Sequence, residues 1–412
     1  MFFRNLLNST ETIQEWEKPL YETFVNSSSS GITLTSDSAL TVGAIYACVN
    51  IKANTIAKLP LQLYKRNKSG RERDSAHAVA QLIEKRPNPY QTPFVFKHTI
   101  TVHRNLWGNA YIKINVDNRG VINSLTLLDP SKVKVAADTK GKLWYTYSLN
   151  GQMSKYDSSE IIHLPYLSTD GINGKSPISI ARETASTMKA AQNLAGNLFK
   201  NGTLTTSILS TDQSLSPEAK KAVRQAWQDA NSGLSNAGKV AVIDSGLSHT
   251  SINMSLVDAE YIASQKFSIT EIARIFNVPL HMLNELDKSS FSNIEQQSMD
   301  FIQNTIQPEL VAWEEEMNYK LFTTAEQKKY YVKFNLNSVA RGDMASRAAF
   351  YEKMLDKGAY SINKVLELED MDGIGSDGDK HRVDLNHVSI EIADEYQLAK
   401  AGASKGGGNG EE

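Results

Sequence analysis

The chain has 412 residues, with 44 Lys and Arg against 46 Asp and Glu and a formal net charge of −2 at pH 7. This length predicts two or more domains, and the near-neutral charge excludes a basic footprint for nucleic acid over the whole chain. The single cysteine, Cys48, cannot form an internal disulfide, which indicates a reducing compartment and a small core residue. No apolar run reaches the roughly 18 residues of a membrane helix, and the amino terminus lacks a signal-peptide pattern. We therefore expect a soluble, cytoplasmic protein with no membrane partner.

The first part of the chain begins with a polar, serine-rich stretch, and residues 1–36 are predicted to form a flexible arm. Helical spacing of apolar residues then predicts helices at 39–59, 76–85 and 92–106. Pro60 ends the first of these helices, and a strand is predicted at 59–66. The basic turn 65–73 is most simply a solvated hairpin tip.

Between Gly108 and Tyr166 the apolar period changes from helical to two, which predicts antiparallel hairpins. Asn150-Gly151 is the strongest turn signal, because both residues accept the positive φ angles of a two-residue hairpin. Strands are predicted at 110–116, 121–130, 143–149, 152–156 and 161–166.

Pro177 is well placed in the first turn of a helix that is predicted to run to residue 200. One stripe of this helix is rich in small residues and is therefore flat. The stripe includes Ala181, Ala185, Met188 and Ala195. Two interpretations fit it equally well: an ordinary core helix, or a helix that packs closely against copies of itself in neighbouring subunits.

Residues 201–257 are predicted to form a compact insert between two helices. Its elements are strands at 205–209, 239–243 and 251–256 and a helix at 217–231. Helix resumes at 259–276 and stops at Val278-Pro279, because proline lacks a backbone donor and pushes the preceding residue out of the α region.

The segment after this stop is polar and lies between two strong helix boundaries. Its residues are Asn284, Glu285, Leu286, Asp287, Lys288, Ser289, Ser290 and Phe291. The next helix, predicted over 292–322, begins with a capping box in which Ser292 and Glu295 satisfy each other's backbone N–H groups. Pro308 is predicted to kink that helix. A polar loop held at both ends is predicted to be presented to a partner.

The remaining chain is predicted to contain a strand at 330–335 and helices at 344–355 and 361–367. The acidic, glycine-rich loop 369–379 could hold a cation, but its spacing lacks the EF-hand pattern, so a solvated turn is favoured. Residues 401–412 have the composition of a disordered tail.

A phosphate-binding loop is the main enzymatic alternative. Gly174-Lys175-Ser176 lies between a strand and a helix, but Gly171 is two residues too close to the lysine and Pro177 removes a donor. Residues 233–239 have suitable spacing in the wrong order of elements, and Asp244 could bind magnesium at a strand end. No histidine cluster or nucleophile motif indicates catalysis, so we predict no cofactor, no metal and no enzymatic activity.

Several short segments occur in the order seen in the HK97-like family of phage portal proteins, and the chain resembles that family from about residue 39 to 320. The segments are Ala44 to Val49, Ile56 to Leu61, Arg86 to Pro89, Trp107 to Tyr111, Ile161 to His163, Gly171 to Ile178, Phe199 to Gly202, Asn236 to Lys239, Ile272 to Pro279, Ser292 to Gln296 and Gln307 to Leu310. Each segment is weak alone, whereas their order is specific.

The resemblance implies an α+β portal fold whose subunits assemble as a ring, usually of twelve. Its parts would be a flexible arm (1–36), a mixed α/β wing (37–176), two stem helices (177–200 and 258–279), a small α/β clip (201–257), a tunnel loop (280–291), a long kinked helix with a wing return strand (292–340), a helical crown (341–400) and a disordered tail (401–412).

The same resemblance implies a channel at one vertex of the capsid, assembled in the host cytoplasm, for packaging and ejecting double-stranded DNA. The clip would meet the large terminase subunit, which supplies the motor, and later the head-to-tail adaptors; the ring would also contact capsid proteins. Lys288 is the single cation of the loop, and repeated around a ring it could contact phosphates independently of sequence; simple solvation is the alternative. Another phage structural protein, such as an adaptor or a scaffold, also stays open.

Overall fold

A computed structural model describes residues 35–68, 70–138, 141–201, 206–212, 214–231, 247–252, 257–285, 291–336, 344–369 and 371–381. The described residues up to 335 belong to one compact unit, and those from 336 onward belong to a second. Nearly all of the predicted arm, the tail, the predicted strand at 239–243 and Asp244 lie outside the described residues. None of the helices in these ranges is long and apolar enough to cross a membrane.

Helices and antiparallel sheets follow each other along the chain, which confirms the predicted α+β class. The helices are α1 Ser36–Ala39, α2 Gly43–Lys58, α3 Ala78–Ala80, α4 Pro93–Trp107, α5 Pro177–Asn201, α6 Pro217–Asn231, α7 Val257–Phe276, α8 Phe291–Phe301, α9 Gln307–Lys320, α10 Met344–Asp356 and α11 Ile362–Leu368. The strands are β1 Leu61–Asn67, β2 Gly70–Arg73, β3 Asn109–Val116, β4 Ile122–Leu128, β5 Val133–Ala137, β6 Leu143–Leu149, β7 Gln152–Asp157, β8 Ile161–Pro165, β9 Leu167–Ser168, β10 Gly174–Lys175, β11 Thr206–Thr211, β12 Leu247–Ile252 and β13 Tyr330–Phe334.

The strands pair in small sheets. The three-stranded sheets have the orders β13-β1-β2, β4-β3-β8 and β5-β6-β7, and the pairs are β9 with β10 and β11 with β12. Strand β13 crosses more than 250 positions of sequence to pair with β1, from Leu61 opposite Phe334 to Lys65 opposite Tyr330. The strand predicted near residue 330 therefore returns to the first sheet of the chain.

Helices α2 and α4 pack against each other in the core. The predicted stripe of α2 is buried, and its Ile45 and Ile56 have no exposed surface. Cys48 is fully buried between them, and burial raises the pKa of its thiol to about 12, so it is the core residue that was predicted. Thr92 caps the amino end of α4: its hydroxyl accepts a hydrogen bond from the Val95 N–H, as an N-cap should.

The Asn150-Gly151 hairpin forms as predicted. Both residues have positive φ, 50° and 78°, and they join β6 to β7 in register. The sequence prediction missed β5, which pairs with the other edge of β6. This strand, Val133 to Ala137, is only five residues long and includes a lysine. The apolar periodicity of so short a segment is too weak to distinguish a strand from a turn.

Three predicted helices and one predicted strand differ in detail from the structure. In place of the helix predicted at 39–59 there are two helices, α1 and α2, separated by residues 40–42. The helix predicted at 76–85 is the short α3 followed by a π-helical turn, Gln81–Lys85. The strand predicted at 251–256 is β12, which begins at Leu247. The helix predicted over 292–322 is divided into α8, a π-helical segment Ile302–Ile306, and α9.

The second unit contains α10 and α11. Its acidic turn is attached to α11 by Asn363, whose amide donates to the Gly375 carbonyl and to Asp379 Oδ1 at 2.8 Å each, while its oxygen accepts from the Ile374 N–H at 2.9 Å. Glu369 accepts a hydrogen bond from the Tyr351 hydroxyl and pairs with Arg347.

Candidate functional site

The first flank of the polar loop is the carboxyl end of α7. Asn277 adopts the left-handed conformation, with φ 52°, and the Val278 N–H donates to the Ala273 carbonyl at 2.9 Å. This is the bonding that closes a helix when a residue after it turns left-handed, a place where glycine or asparagine is preferred. Pro279 then prevents the helix from continuing. The predicted stop at Val278-Pro279 is confirmed.

Asn277 joins this helix end to the π-helical segment Ile302–Ile306. Its side-chain amide donates to Thr305 Oγ1 at 2.7 Å, and the same hydroxyl donates to the Asn277 carbonyl at 2.9 Å. Thr305 is 8% exposed, whereas Asn277 is exposed, so the two bonds are partly buried. These hydrogen bonds therefore connect the end of α7, before the loop, to the π-helical segment that follows α8. We call residues 277–285, with Thr305, the loop base.

A second connection lies at the start of the loop. Residues Leu280–Leu283 form a 3₁₀ turn that ends at Asn284, which has φ 62°. His281 on this turn faces α8, with Nδ1 3.0 Å from Gln297 Oε1 and Nε2 3.2 Å from Ser298 Oγ. The loop therefore starts from a turn that is attached to the helix on its far side.

The structure describes only part of the predicted loop. Asn284 is exposed and Glu285 is partly exposed, whereas Asp287, Lys288, Ser289 and Ser290 lie outside the described residues. Helix α8 begins at Phe291, one residue before the predicted cap. The side chains of Ser292 and Glu295 also lie outside the described residues, so their capping box stays a prediction.

Pro308 lies in the first turn of α9, directly after the π-helical segment. The Gln307 N–H donates to the Ile302 carbonyl, which is five residues earlier, whereas an α-helical N–H donates to the carbonyl four residues earlier. This wider turn gives the proline ring room that an α-helical turn would not, because the ring otherwise meets the carbonyl four residues earlier. The proline thus coincides with a local change of helix type; the predicted kink in the axis stays a prediction.

A cleft of about 300 Å³ opens between the end of α7 and the α8 and π-helical residues. Its walls include Arg274, Asn277, Asp300 and Asn304. Arg274 is held by Glu271 at 2.5 Å, and Asp300 accepts from the Gln296 amide at 3.1 Å. The lining mixes polar side chains with Ala273, Val278 and Phe301. Arg274 and Asp300 are both engaged by neighbours on their own helices, which does not favour a substrate pocket.

A buried ion cluster follows immediately after this site, and the sequence reasoning missed it. Glu309 on α9 lies 2.6 Å from Lys52 on α2 and 3.1 Å from Arg104 on α4. The Lys52 ammonium also donates to the Tyr166 hydroxyl at 3.3 Å. The available signal was Lys52 itself, a charged residue on the otherwise apolar stripe of α2.

The buried Lys52 and Glu309 side chains favour their ionised forms. Burial works against the ionised form of Lys52, but Glu309 and Tyr166 outweigh it and hold the lysine pKa above its ordinary value. Burial likewise opposes the carboxylate of Glu309, but Lys52 and Arg104 hold its pKa below the usual range. The ion pairs therefore join the first turn of α9 to α2 and α4.

The alanine stripe of α5 lies inside the subunit. Ala181 and Ala185 have no exposed surface and Met188 is 4% exposed, and α5 packs alongside α4 and α7. The structure thus favours the core-helix interpretation for these three residues, because their side chains are already covered within one chain. Ala195 has its side chain outside the described residues.

The geometry of Gly174-Lys175-Ser176 does not favour the phosphate-loop alternative, and its second candidate, 233–239, lies outside the described residues. The Gly174 N–H donates to Asn109 Oδ1 at 2.8 Å, and the Ser176 hydroxyl donates to the Leu106 carbonyl at 2.5 Å. A phosphate loop needs those donors free for its ligand. Gly174 instead packs against Gly108, and an added Cβ would lie 2.0 Å from the Gly108 oxygen. These glycines serve a close backbone contact.

Metal binding has no support in the part of the chain that the structure describes, where no group of three His, Cys, Asp or Glu side chains could hold an ion. In the acidic loop, Asp379 is bonded to Asn363 and Asp377 pairs with Lys380 at 2.6 Å. Asp370 lies outside the described residues.

The chain is similar in sequence to phage portal proteins over most of its length. The phage portal protein family model matches residues 43–370. The portal protein of Enterobacteria phage HK97 is 29% identical over 344 residues, covering 82% of this chain and 81% of that protein. The probable portal protein of Streptomyces phage phiC31 is 30% identical over 373 residues, covering 87% and 80%.

The fold also matches a solved structure. The crystal structure of an HK97-family phage portal protein from Corynebacterium diphtheriae superposes with a TM-score of 0.55 at 17% identity, covering 74% of this chain and 96% of that one. At this identity the match speaks for the fold alone.

Proposed function

Because the chain belongs to the phage portal protein family, we propose that it is the subunit of a ring, usually of twelve copies, at one vertex of a phage capsid. The ring would form the channel through which double-stranded DNA enters during packaging and leaves during ejection. The observation that carries this proposal is the family match across residues 43–370, which includes the loop, both of its flanks and the helices behind it.

Within that ring, the polar loop 280–291 would line the narrowest part of the channel. Its base supports this role. The contact of Asn277 with Thr305 and the contacts of His281 with α8 hold its two flanks together, and Glu309 fixes α9 to the core. A loop that meets moving DNA needs such a base, because a site on rigid supports keeps its geometry better than one on a free segment.

The charge of the chain suits DNA that must slide. Each phosphate that a cation neutralises adds affinity through counterion release, so a strongly basic channel would hold DNA instead of passing it. The subunit carries 44 basic and 46 acidic side chains, and Lys288 is the single Lys or Arg between residues 280 and 291. We assign Lys288 and its neighbours Asn284, Glu285, Asp287, Ser289 and Ser290 to sparse contacts with the DNA.

The insert 201–257 would be the docking element for the large terminase subunit and later for head-to-tail adaptors. In its described side chains between residues 210 and 227, none is buried. Helix α6 has its half-buried positions Ala219, Val223 and Trp227 four residues apart, hence on one face. In the described part of this insert, the half-buried face of α6 is the surface best suited to packing against another protein.

The subunit would have no catalytic activity, since energy for translocation would come from the terminase. It would need no cofactor, would assemble in the host cytoplasm and would remain at the capsid vertex in the virion. The arrangement of Gly174 and Ser176 supports this over a nucleotide-binding role. Measurable ATP binding that Lys175→Ala abolishes would contradict it.

The test of the function combines imaging with packaging. Negative-stain images of the purified protein should show rings with a central hole. A variant shortened within 284–290 should still form rings, but heads assembled with it should contain less nuclease-protected DNA. Lys288→Ala should change packaging or retention of DNA, and Lys134→Ala, an exposed lysine on β5, is its matched control. Monomers under every assembly condition would refute the ring, and normal DNA content in the shortened variant would refute the loop assignment.

A further inference from the structure

One face of the sheet β13-β1-β2 carries an unusual set of side chains. The strand registers place Tyr64 between Tyr331 and Arg73, and Arg66 opposite Arg71. The Arg66 N–H donates to the Lys329 carbonyl, which extends the same register by one pair. Five cations therefore share this face with Tyr64 and Tyr331. They are Arg66, Arg71, Arg73, Lys329 and Lys333, and we call this set the basic sheet face.

The basic sheet face points away from the core. On the opposite face of the sheet, Leu63 and Val332 are fully buried, and Leu61 and Phe334 are 4% and 3% exposed. All five cations are exposed. Because side chains alternate along a strand, burial of one face leaves the other directed to solvent.

The two tyrosines order the arginines. The rings of Tyr64 and Tyr331 stack with centroids 5.6 Å apart and planes 23° apart. The guanidinium of Arg66 lies 5.1 Å from the centre of the Tyr331 ring, and that of Arg71 lies 5.0 Å from the Tyr64 ring. Stacking on a ring covers one plane of a guanidinium and leaves the N–H edge available for an oxyanion.

The charge on this face is only partly balanced. Within the described residues, Arg73 is the one member in an ion pair, 2.6 Å from Glu84. Glu72, the acidic residue of β2, is opposite Lys65 and so lies on the other side of the sheet. Arg66 and Arg71 stand directly across from each other, an arrangement of like charges that costs stability. An anionic ligand would relieve that repulsion.

We propose that the basic sheet face binds the phosphate backbone of double-stranded DNA outside the channel, without sequence preference. An acidic protein surface would match the charge as well. DNA is favoured because the face has no exposed aliphatic side chain for a protein partner to bury, and protein interfaces have an apolar centre. The tyrosine rings are covered by each other and by the arginines, so the face presents donors for phosphates and no open platform for bases.

This inference goes beyond the channel and can be tested apart from it. Closed circular duplex DNA has no end to thread through a ring, so its binding reports an outer surface. The full-length assembled protein is titrated with labelled circular DNA over a series of salt concentrations. The test variant is Arg66→Gln with Arg71→Gln and Lys329→Gln. The control variant, with the same loss of charge, is Lys58→Gln with Lys85→Gln and Lys134→Gln, three exposed lysines elsewhere on the unit.

We expect the test variant to bind circular DNA about tenfold more weakly at moderate salt, with the slope of log affinity against log salt smaller by about two to three. The control variant should bind like the unmodified protein. The proposal is overturned if the unmodified ring does not bind circular DNA, if both variants lose binding equally, or if the face binds polyglutamate and not DNA. Images of the same samples show whether rings are present, so failure of this inference is distinguished from failure of the proposed ring.

Discussion

Glu309 lies 2.6 Å from Lys52, and both side chains are buried, at 6% and 0% exposure. Glu309 belongs to α9, the second α-helix after the loop, and Lys52 belongs to α2, the first long helix of the chain. Arg104 completes the cluster from a third helix. A buried charge contact therefore joins α9 to α2 and α4.

Replacing Glu309 tests this contact. Glu309→Gln keeps the shape but leaves two buried cations without their carboxylate, and breaking a buried pair in this way typically costs about 3–5 kcal/mol. Denaturant unfolding should show a loss of that size. Glu315→Gln, an exposed position on the same helix, should change the free energy of unfolding by less than about 0.5 kcal/mol. Equal losses of unfolding free energy in the two variants would show that the buried ion cluster does not contribute more to stability than an exposed carboxylate.

The contact between Gly108 and Gly174 predicts intolerance to a methyl group. In Gly174→Ala the new Cβ would lie 2.0 Å from the Gly108 oxygen and 2.5 Å from the Tyr166 nitrogen, so backbone must move. We expect a loss of about 3 kcal/mol, as for severe overpacking. Gly43→Ala is the control, because nothing lies within 4 Å of its added Cβ, and it should stay within about 1 kcal/mol. A Gly174→Ala protein with unchanged melting temperature would disprove the tight contact.

His163 predicts acid sensitivity of the β-rich region. Its ring is buried between Tyr111 and Tyr145 and its Nε2 lies 2.9 Å from Asn109 Oδ1. Burial, with the Lys320 charge, lowers its pKa to about 3. The unfolded chain binds this proton near pH 6.5 and the folded chain does not, so stability is complete above that pH and falls as pH drops towards 3.

The measurement is the free energy of unfolding between pH 7 and pH 4. His163→Gln should start less stable but lose less on acidification than the unmodified protein. Part of the dependence should remain, because burial also lowers the pKa of His103, to about 4. An identical pH slope in both proteins would rule out His163 as the source.

Thr305 is predicted to govern the order of the loop base. Thr305→Val removes both hydrogen bonds to Asn277 while keeping the shape, so amide exchange in residues 277–285 should accelerate about tenfold. Thr187→Val removes a hydroxyl bond to Glu183 on an exposed helix face and is the matched control. Exchange that is unchanged in 277–285 would mean that the loop base is held by other contacts.

Most elements of the fold follow from local signals. The hairpin at Asn150-Gly151 and the stop at Pro279 each depend on a few neighbouring residues, and both were predicted. The π-helical segment before Pro308 was not, because a proline signals a disturbance without specifying how the preceding turn adapts. The loop was predicted as a presented element, whereas its fastening through Asn277, Thr305 and His281 required residues that are up to 28 positions apart.

The sequence alone determined the types of most elements, the helix stop before the polar loop and the resemblance to portal proteins, because these depend on periodicity, turn chemistry and the order of short segments. The tertiary structure alone decided which charges meet. Lys52, Arg104 and Glu309 are far apart in the chain, and the basic sheet face exists only because β13 pairs with β1. Long-range contacts of this kind are set by how whole elements pack, and no local pattern in the sequence encodes the partner.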